Sequence, residues 1–124
     1  MIKLLLLMIL CHLIDDFVLQ GTCLVNLKQK SWWEKNAPGD LYKNDYKIGL
    51  LMHSLEWCLM INLPLILLGI PGDVFLILSV ILNTGIHYFV DDLKANKLKI
   101  NLIQDQSIHL CQILITYGIY TWTL

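Results

Sequence analysis

Four long apolar stretches, at about residues 2–27, 48–70, 74–93 and 102–122, account for most of the chain. Each is long enough to cross a hydrocarbon core of about 30 Å as a helix rising about 1.5 Å per residue. The pattern predicts an all-α fold: a single domain, residues 1–124, built as a bundle of four transmembrane helices. A lysine-rich connector at residues 28–47 joins the first two stretches. Its Trp32 and Trp33 suit a membrane interface, and Ala37-Pro38-Gly39-Asp40 is a turn signal. A short interfacial helix is expected at residues 31–36. Pro64 lies inside the second stretch, where we expect a bend rather than a break, because neighbouring helices can satisfy the freed carbonyl. Gly69-Ile70-Pro71-Gly72 reads as a tight turn, with Asp73 as N-cap of the next helix.

Residues poorly suited to lipid interrupt these stretches. Each contains one histidine: His12, His53, His87 and His109. Three of them have an aspartate four residues away, Asp16 and Asp91 after the histidine and Asp105 before it. On a helix that spacing puts both side chains on one face. Asn83 extends the His87 face by another four residues, and Gln112 and Thr116 extend that of His109. Taken singly, each polar residue has an ordinary explanation as an interfacial histidine, a snorkelling aspartate or a helix cap. Asp105, close to a helix start, is the strongest case for a cap. Taken together they are costly, since an aspartate at the bilayer centre costs roughly 2.5–3.5 kcal/mol on insertion scales.

Composition sharpens this picture. The chain is 56% hydrophobic with a mean hydropathy of +0.61, which excludes an ordinary soluble domain. A net charge of −1 gives no reason to expect nucleic acid. All nine basic residues are lysines, and eight lie at residues 28–47 and 94–99, in the first and third connectors. The positive-inside rule puts both connectors in the cytoplasm and both termini on the non-cytoplasmic side. All four histidine sets then fall at similar depth, in the cytoplasmic half, although the histidines played no part in assigning the topology. Met1-Ile2-Lys3 and the leucines after it resemble a signal peptide, but no small-residue cleavage site follows, and retention is expected. Cys11, Cys23, Cys58 and Cys111 form no Cys-x-x-Cys pair and read as small hydrophobes rather than disulfides. Cys11 and Cys58, near histidines, stay as secondary metal-ligand candidates.

A divalent transition metal would give the polar groups one shared purpose, since structural zinc sites are worth roughly 10–16 kcal/mol. The candidate ligands are His12, Asp16, His53, His87, Asp91, Asp105 and His109. Imidazole and carboxylate together suit zinc first, with manganese, iron or nickel as alternatives. The set would serve two ions about 3.5–4 Å apart, or one ion whose histidines are oriented by the remaining carboxylates. Lys94, one turn past Asp91, is read either as a phosphate ligand or as a snorkelling side chain. Gln20 and Gln106 border the set, Glu56 is a further carboxylate near His53, and Asp15, about 100° from Asp16, is read as peripheral.

The runs His12-Leu-Ile-Asp-Asp16-Phe-Val-Leu-Gln20, the lone His53, His87-Tyr-Phe-Val-Asp91-Asp-Leu-Lys94 and Asp105-Gln106-Ser-Ile-His109 resemble the pattern of the domain of unknown function 3307. This is a family of small bacterial and phage membrane proteins. The resemblance implies a multi-pass protein of the bacterial inner membrane and supports the choice of residues, without supplying a reaction. Asp15 stands where that pattern has a small residue. In style the helices are also similar to membrane-bound metal-dependent hydrolases. The expected function is therefore a metal-dependent hydrolase in the lipid bilayer, acting on a lipid or polyprenyl phosphate at the cytoplasmic face. Asp16, Asp91 or Asp105 would be its base, and Lys94 its phosphate ligand. The rivals are metal-ion or proton transport, and a structural or partner-binding protein stapled by metal. Oligomerisation stays open.

Overall fold

The computed structural model describes residues 1–69 and 72–123. Among them are six α-helices, one π-helical turn and no strand: α1 (Ile2–Ile14), the π turn (Asp15–Leu19), α2 (Thr22–Leu27), α3 (Lys30–Asn36), α4 (Asp45–Leu67), α5 (Asp73–Ala95) and α6 (Leu102–Thr123). The fold is thus all-α, as the apolar periodicity predicts. Two helices, α4 and α5, are long and apolar enough to cross a membrane.

The first stretch departs from the straight helix expected over residues 2–27. α1 passes into a turn closed by a bond from the Gln20 nitrogen to the Asp15 carbonyl, 3.0 Å long and one residue longer than an α-helical bond. Such a turn advances less per residue around the axis, so Asp15 and Asp16 both turn inward instead of diverging by about 100°. The chain then breaks at Gly21, whose φ of 26° disfavours a residue with a Cβ.

The other differences are small. Helix α3 (Lys30–Asn36) occupies the expected interfacial position, tied back by Trp33 Nε1 donating to the Leu27 carbonyl at 2.8 Å. Helix α4 runs through Pro64 without a break. Gly72, not Asp73, is the N-cap of α5, and Asp73 is the first helical residue, where a carboxylate still faces the positive helix end. Ile70 and Pro71 of the expected turn lie outside the described residues.

The core inverts the usual soluble pattern. Trp57, Ile61, Leu65, Met8 and Ile113 are buried beside His12, His53, His87, His109, Asp91 and Asp105. Meanwhile Leu6, Leu10, Phe17, Leu59, Ile81, Leu82, Phe89, Leu114 and Ile115 stand exposed on α1, the π turn, α4, α5 and α6. Water would disfavour such an arrangement on every one of these elements, whereas lipid would not.

Helix α2 meets α4 at Gly49. A Cβ there would collide with the Leu27 carbonyl oxygen and lie 2.8 Å from the Lys28 nitrogen. That close approach holds the chain beside Lys28, so Gly49→Ala should destabilise the protein by about 1–3 kcal/mol. The check is thermal unfolding in detergent, with Gly118→Ala, where a Cβ has open space, as the control expected to change little.

Candidate metal centre

Four elements converge on one buried point. α1 and the π turn supply His12 and Asp16; α4 supplies His53; α5 supplies His87 and Asp91; α6 supplies Asp105 and His109. All four imidazoles are at most 1% exposed, and Asp105 is fully buried. His53 Nε2 lies 3.2 Å from His87 Nε2, 3.3 Å from Asp91 Oδ2 and 3.7 Å from Asp16 Oδ1. Asp91 Oδ1 lies 3.7 Å from His87 Nε2 and 3.5 Å from His109 Nε2, which is 3.3 Å from Asp105 Oδ1.

These spacings are those of ligand atoms around a shared ion. Four ligands at about 2.0–2.1 Å in a tetrahedron sit about 3.3 Å from one another. In two groups the ligand atoms all lie within 4.8 Å of one another: Asp16, His53 and His87, and His87, Asp91 and His109; Asp105 belongs to neither. Both share His87, and a ring nitrogen has a single lone pair, which serves one ion. His109 Nε2 and Asp105 Oδ1 are buried and have no hydrogen-bond partner among the described residues, despite their 3.3 Å separation. Buried polar atoms normally find a partner. The donor set therefore fits a divalent cation.

His12 has a different place from the one expected. Its Nδ1 accepts a 2.8 Å hydrogen bond from Trp57 Nε1 and lies 3.7 Å from Asp16 Oδ2, and it belongs to neither ligand group. The Trp57 indole also stacks on His87, with centroids 4.3 Å apart. One buried tryptophan thus fixes two of the rings. Its position was legible, since it follows His53 by four residues on the same face of α4.

Around the cluster sits a layer of donors. Lys28 Nζ donates to Asp91 Oδ2 and Lys94 Nζ to Asp105 Oδ2, each at 2.6 Å. Gln20 donates to His53 Nε2 at 2.8 Å, and Gln106 to Asp16 Oδ2 at 2.8 Å. Lys28, like Trp57, is a residue that the sequence reading missed: grouped with the connector's other lysines, it is 7% exposed. Lys94 faces inward to a carboxylate rather than snorkelling. Asp15, read as peripheral, is buried, and neither of its oxygens has a hydrogen-bond partner among the described residues; the π turn carries it inward. Glu56 is half-buried and outside both ligand groups. No disulfide forms: all four cysteines are free, and none belongs to a ligand group found among the described residues.

Asp92 supplies an internal comparison. One residue from Asp91, it turns to Lys97 Nζ at 2.8 Å and to Asn96 Nδ2 at 2.9 Å. Its hydrogen bond raises the pKa of the exposed Lys97 ammonium. Asp91→Ala and Asp16→Ala should therefore lower bound metal several-fold, whereas Asp92→Ala should leave it near the wild-type ratio. Elemental analysis of the purified variants decides this, and equal loss from all three would dismiss the cluster as a ligand set.

No curated protein and no solved structure matches the chain. A family model described as a protein of unknown function, DUF3307, matches residues 4–124, nearly the whole length, including every residue of the cluster. The chain belongs to the DUF3307 family.

Proposed function

We propose that this chain is a four-span protein of the bacterial inner membrane that binds a divalent transition metal through its buried His/Asp cluster. In this reading it uses the ion to hydrolyse a lipid-linked or phosphate-bearing substrate near the cytoplasmic face. The observation that carries the proposal is the meeting of His53, His87, His109, Asp16 and Asp91 at 3.2–3.7 Å from four elements. Membrane embedding is supported by the apolar exteriors of α1 and α6 as well as α4 and α5. The placement of Lys28 and Lys94 on the cluster's outer side agrees with a cytoplasmic opening. A metal in such a site polarises a scissile group and makes water acidic enough to attack near neutral pH. Asp16 and Asp91 both line the pocket beside the cluster; Asp16, which has no lysine partner among the described residues, is the base we assign, and Asp105, held by Lys94, keeps His109 oriented.

Zinc is the first choice of ion, with manganese, iron and nickel as alternatives. Protein purified without added metal should carry close to one ion per chain, and in mixed micelles the loaded protein should release a headgroup or phosphate from a lipid phosphate. Metal-replete protein that turns over no lipid phosphate or ester would sink the hydrolase. A C-terminal reporter active only in the cytoplasm would overturn the topology, and with it the depth of the site.

One observation favours transport as a second reading. From His109 Nδ1 a chain of hydrogen bonds runs through Gln112, Asn83, Ser79 and Asn62. It reaches α5 at Asn83 and follows that helix for about 6 Å to Ser79. It then meets about 9 Å of apolar helix between Asp73 and Ser79, so no polar path continues along α5 to its other end. Metal-ion or proton flux in proteoliposomes that is lost in Asn83→Leu would put transport first.

A further inference from the structure

A pocket of about 150 Å³ opens beside the cluster, lined by Asp16, Phe17, Gln20, Lys28, Asp91, Lys94, Leu102 and Gln106. It holds both lysines of the outer layer. From its geometry we infer that Lys28 and Lys94 form an anion subsite that takes the phosphate group of a phosphomonoester, next to the ion. This deepens the proposed function and rests on it for the charge of the loaded site.

The first argument is donor capacity. Each ammonium has three N–H groups and directs one at a carboxylate, Asp91 or Asp105. The others are available to a ligand in the pocket that both side chains line. The second is charge. The charged side chains that line the pocket, Asp16 and Asp91 against Lys28 and Lys94, balance one another with neutral imidazoles, the form that binds metal. One divalent ion beside them would tip the pocket toward positive charge, and walls of low-dielectric protein would then favour an oxyanion there. Lys28 makes this a fixed feature, because it is 7% exposed and no solvent-facing rotamer explains its position. The third is the rim. Phe17 and Leu102 are 61% and 53% exposed, which suits a phosphate carried on an apolar tail, whereas free phosphate would use the lysines alone.

The test is calorimetric titration of the full-length protein in detergent, with metal content measured on the same samples. The probes are inorganic phosphate, dihexanoyl phosphatidic acid and, as the zwitterionic control, dihexanoyl phosphatidylcholine. Phosphate-class probes should bind, and Lys94→Met should weaken them by about tenfold or more, the loss of one charge-assisted contact. Lys94→Met leaves the buried Asp105 without its ammonium, as Lys28→Met leaves Asp91, so Lys94→Gln, which loses the charge but keeps a donor for Asp105, is the variant that spares the fold and should weaken phosphate binding likewise. Tighter binding of phosphatidic acid than of inorganic phosphate identifies a lipid headgroup, and equal binding identifies free phosphate; either supports the subsite. Metal-free protein that still binds phosphate in a lysine-dependent way would keep the subsite and sink the metal reading. Metal-replete protein that binds neither phosphate probe would overturn the subsite alone, as would unchanged binding in Lys94→Met or equal binding of phosphatidylcholine. Protein with neither metal nor phosphate binding would overturn both.

Discussion

A carboxylate shielded from water must be given a positive or hydrogen-bonding partner, and Asp91 shows how much of this molecule follows from that requirement. It is 3% exposed in its side chain and faces Lys28, His53, His87 and His109 at once. Removing one partner from a buried charge typically costs several kcal/mol, so these contacts constrain the backbone that presents them. Lys28 reaches Asp91 because the chain after the first stretch is pressed onto α4 at Gly49. Asn96 then ties the same corner to α5, taking Nδ2 to the Lys28 carbonyl at 3.1 Å and accepting from the Lys30 nitrogen at 2.8 Å. The break at Gly21, the short helices and the close approach together bring one ammonium to one buried charge.

The same requirement explains why the first stretch is not a straight helix. In α-helical geometry only one of Asp15 and Asp16 could face inward, and the other would lie against the exposed band of Leu10, Leu13 and Phe17. The π turn removes that conflict by burying Asp15 while keeping the half-buried Asp16 on the pocket and the histidines. Such turns cluster at functional sites in proteins, and here the turn delivers Asp16 to His53 while keeping it near His12. Trp57 serves the imidazoles in a comparable way, filling the space under the cluster and holding His12 and His87 by an N–H bond and a stacked face.

What was legible in the sequence was whatever local periodicity carries. The three later stretches became helices α4, α5 and α6, and the His-x-x-x-Asp faces met because four-residue spacing survives in any helix. What was not legible depended on contacts between segments distant in sequence. Nothing near Lys28 distinguishes it from the solvated Lys30 or Lys35; only its pairing with Asp91, sixty-three residues away, does. The π turn was hidden for a similar reason, since it places two adjacent carboxylates among neighbours that are known only once the fold is formed. Trp57 falls between these cases: its spacing from His53 was visible, but a tryptophan among apolar residues carries no sign of its partner.

Two lysines already neutralise Asp91 and Asp105, so neutralising buried charge is not by itself a reason for a metal. The argument lies in the atoms the lysines leave over. Asp91 gives Oδ2 to Lys28 but turns Oδ1 toward His87 and His109. Asp105 gives Oδ2 to Lys94, and among the described residues its buried Oδ1 has no hydrogen bond, nor has His109 Nε2 opposite it. His53 and His87 direct their Nε2 atoms at each other across 3.2 Å, where at most one can donate. A network built only for packing would place donors against acceptors at these positions. Among the described residues His109 Nε2 and Asp105 Oδ1 stay unbonded at the centre, His53 Nε2 has only the exchangeable Gln20 amide as a further donor, and the lysines stand behind them. That division, ammonium outside and lone pairs inside, is what a cation at the centre requires and what ion pairing alone does not explain.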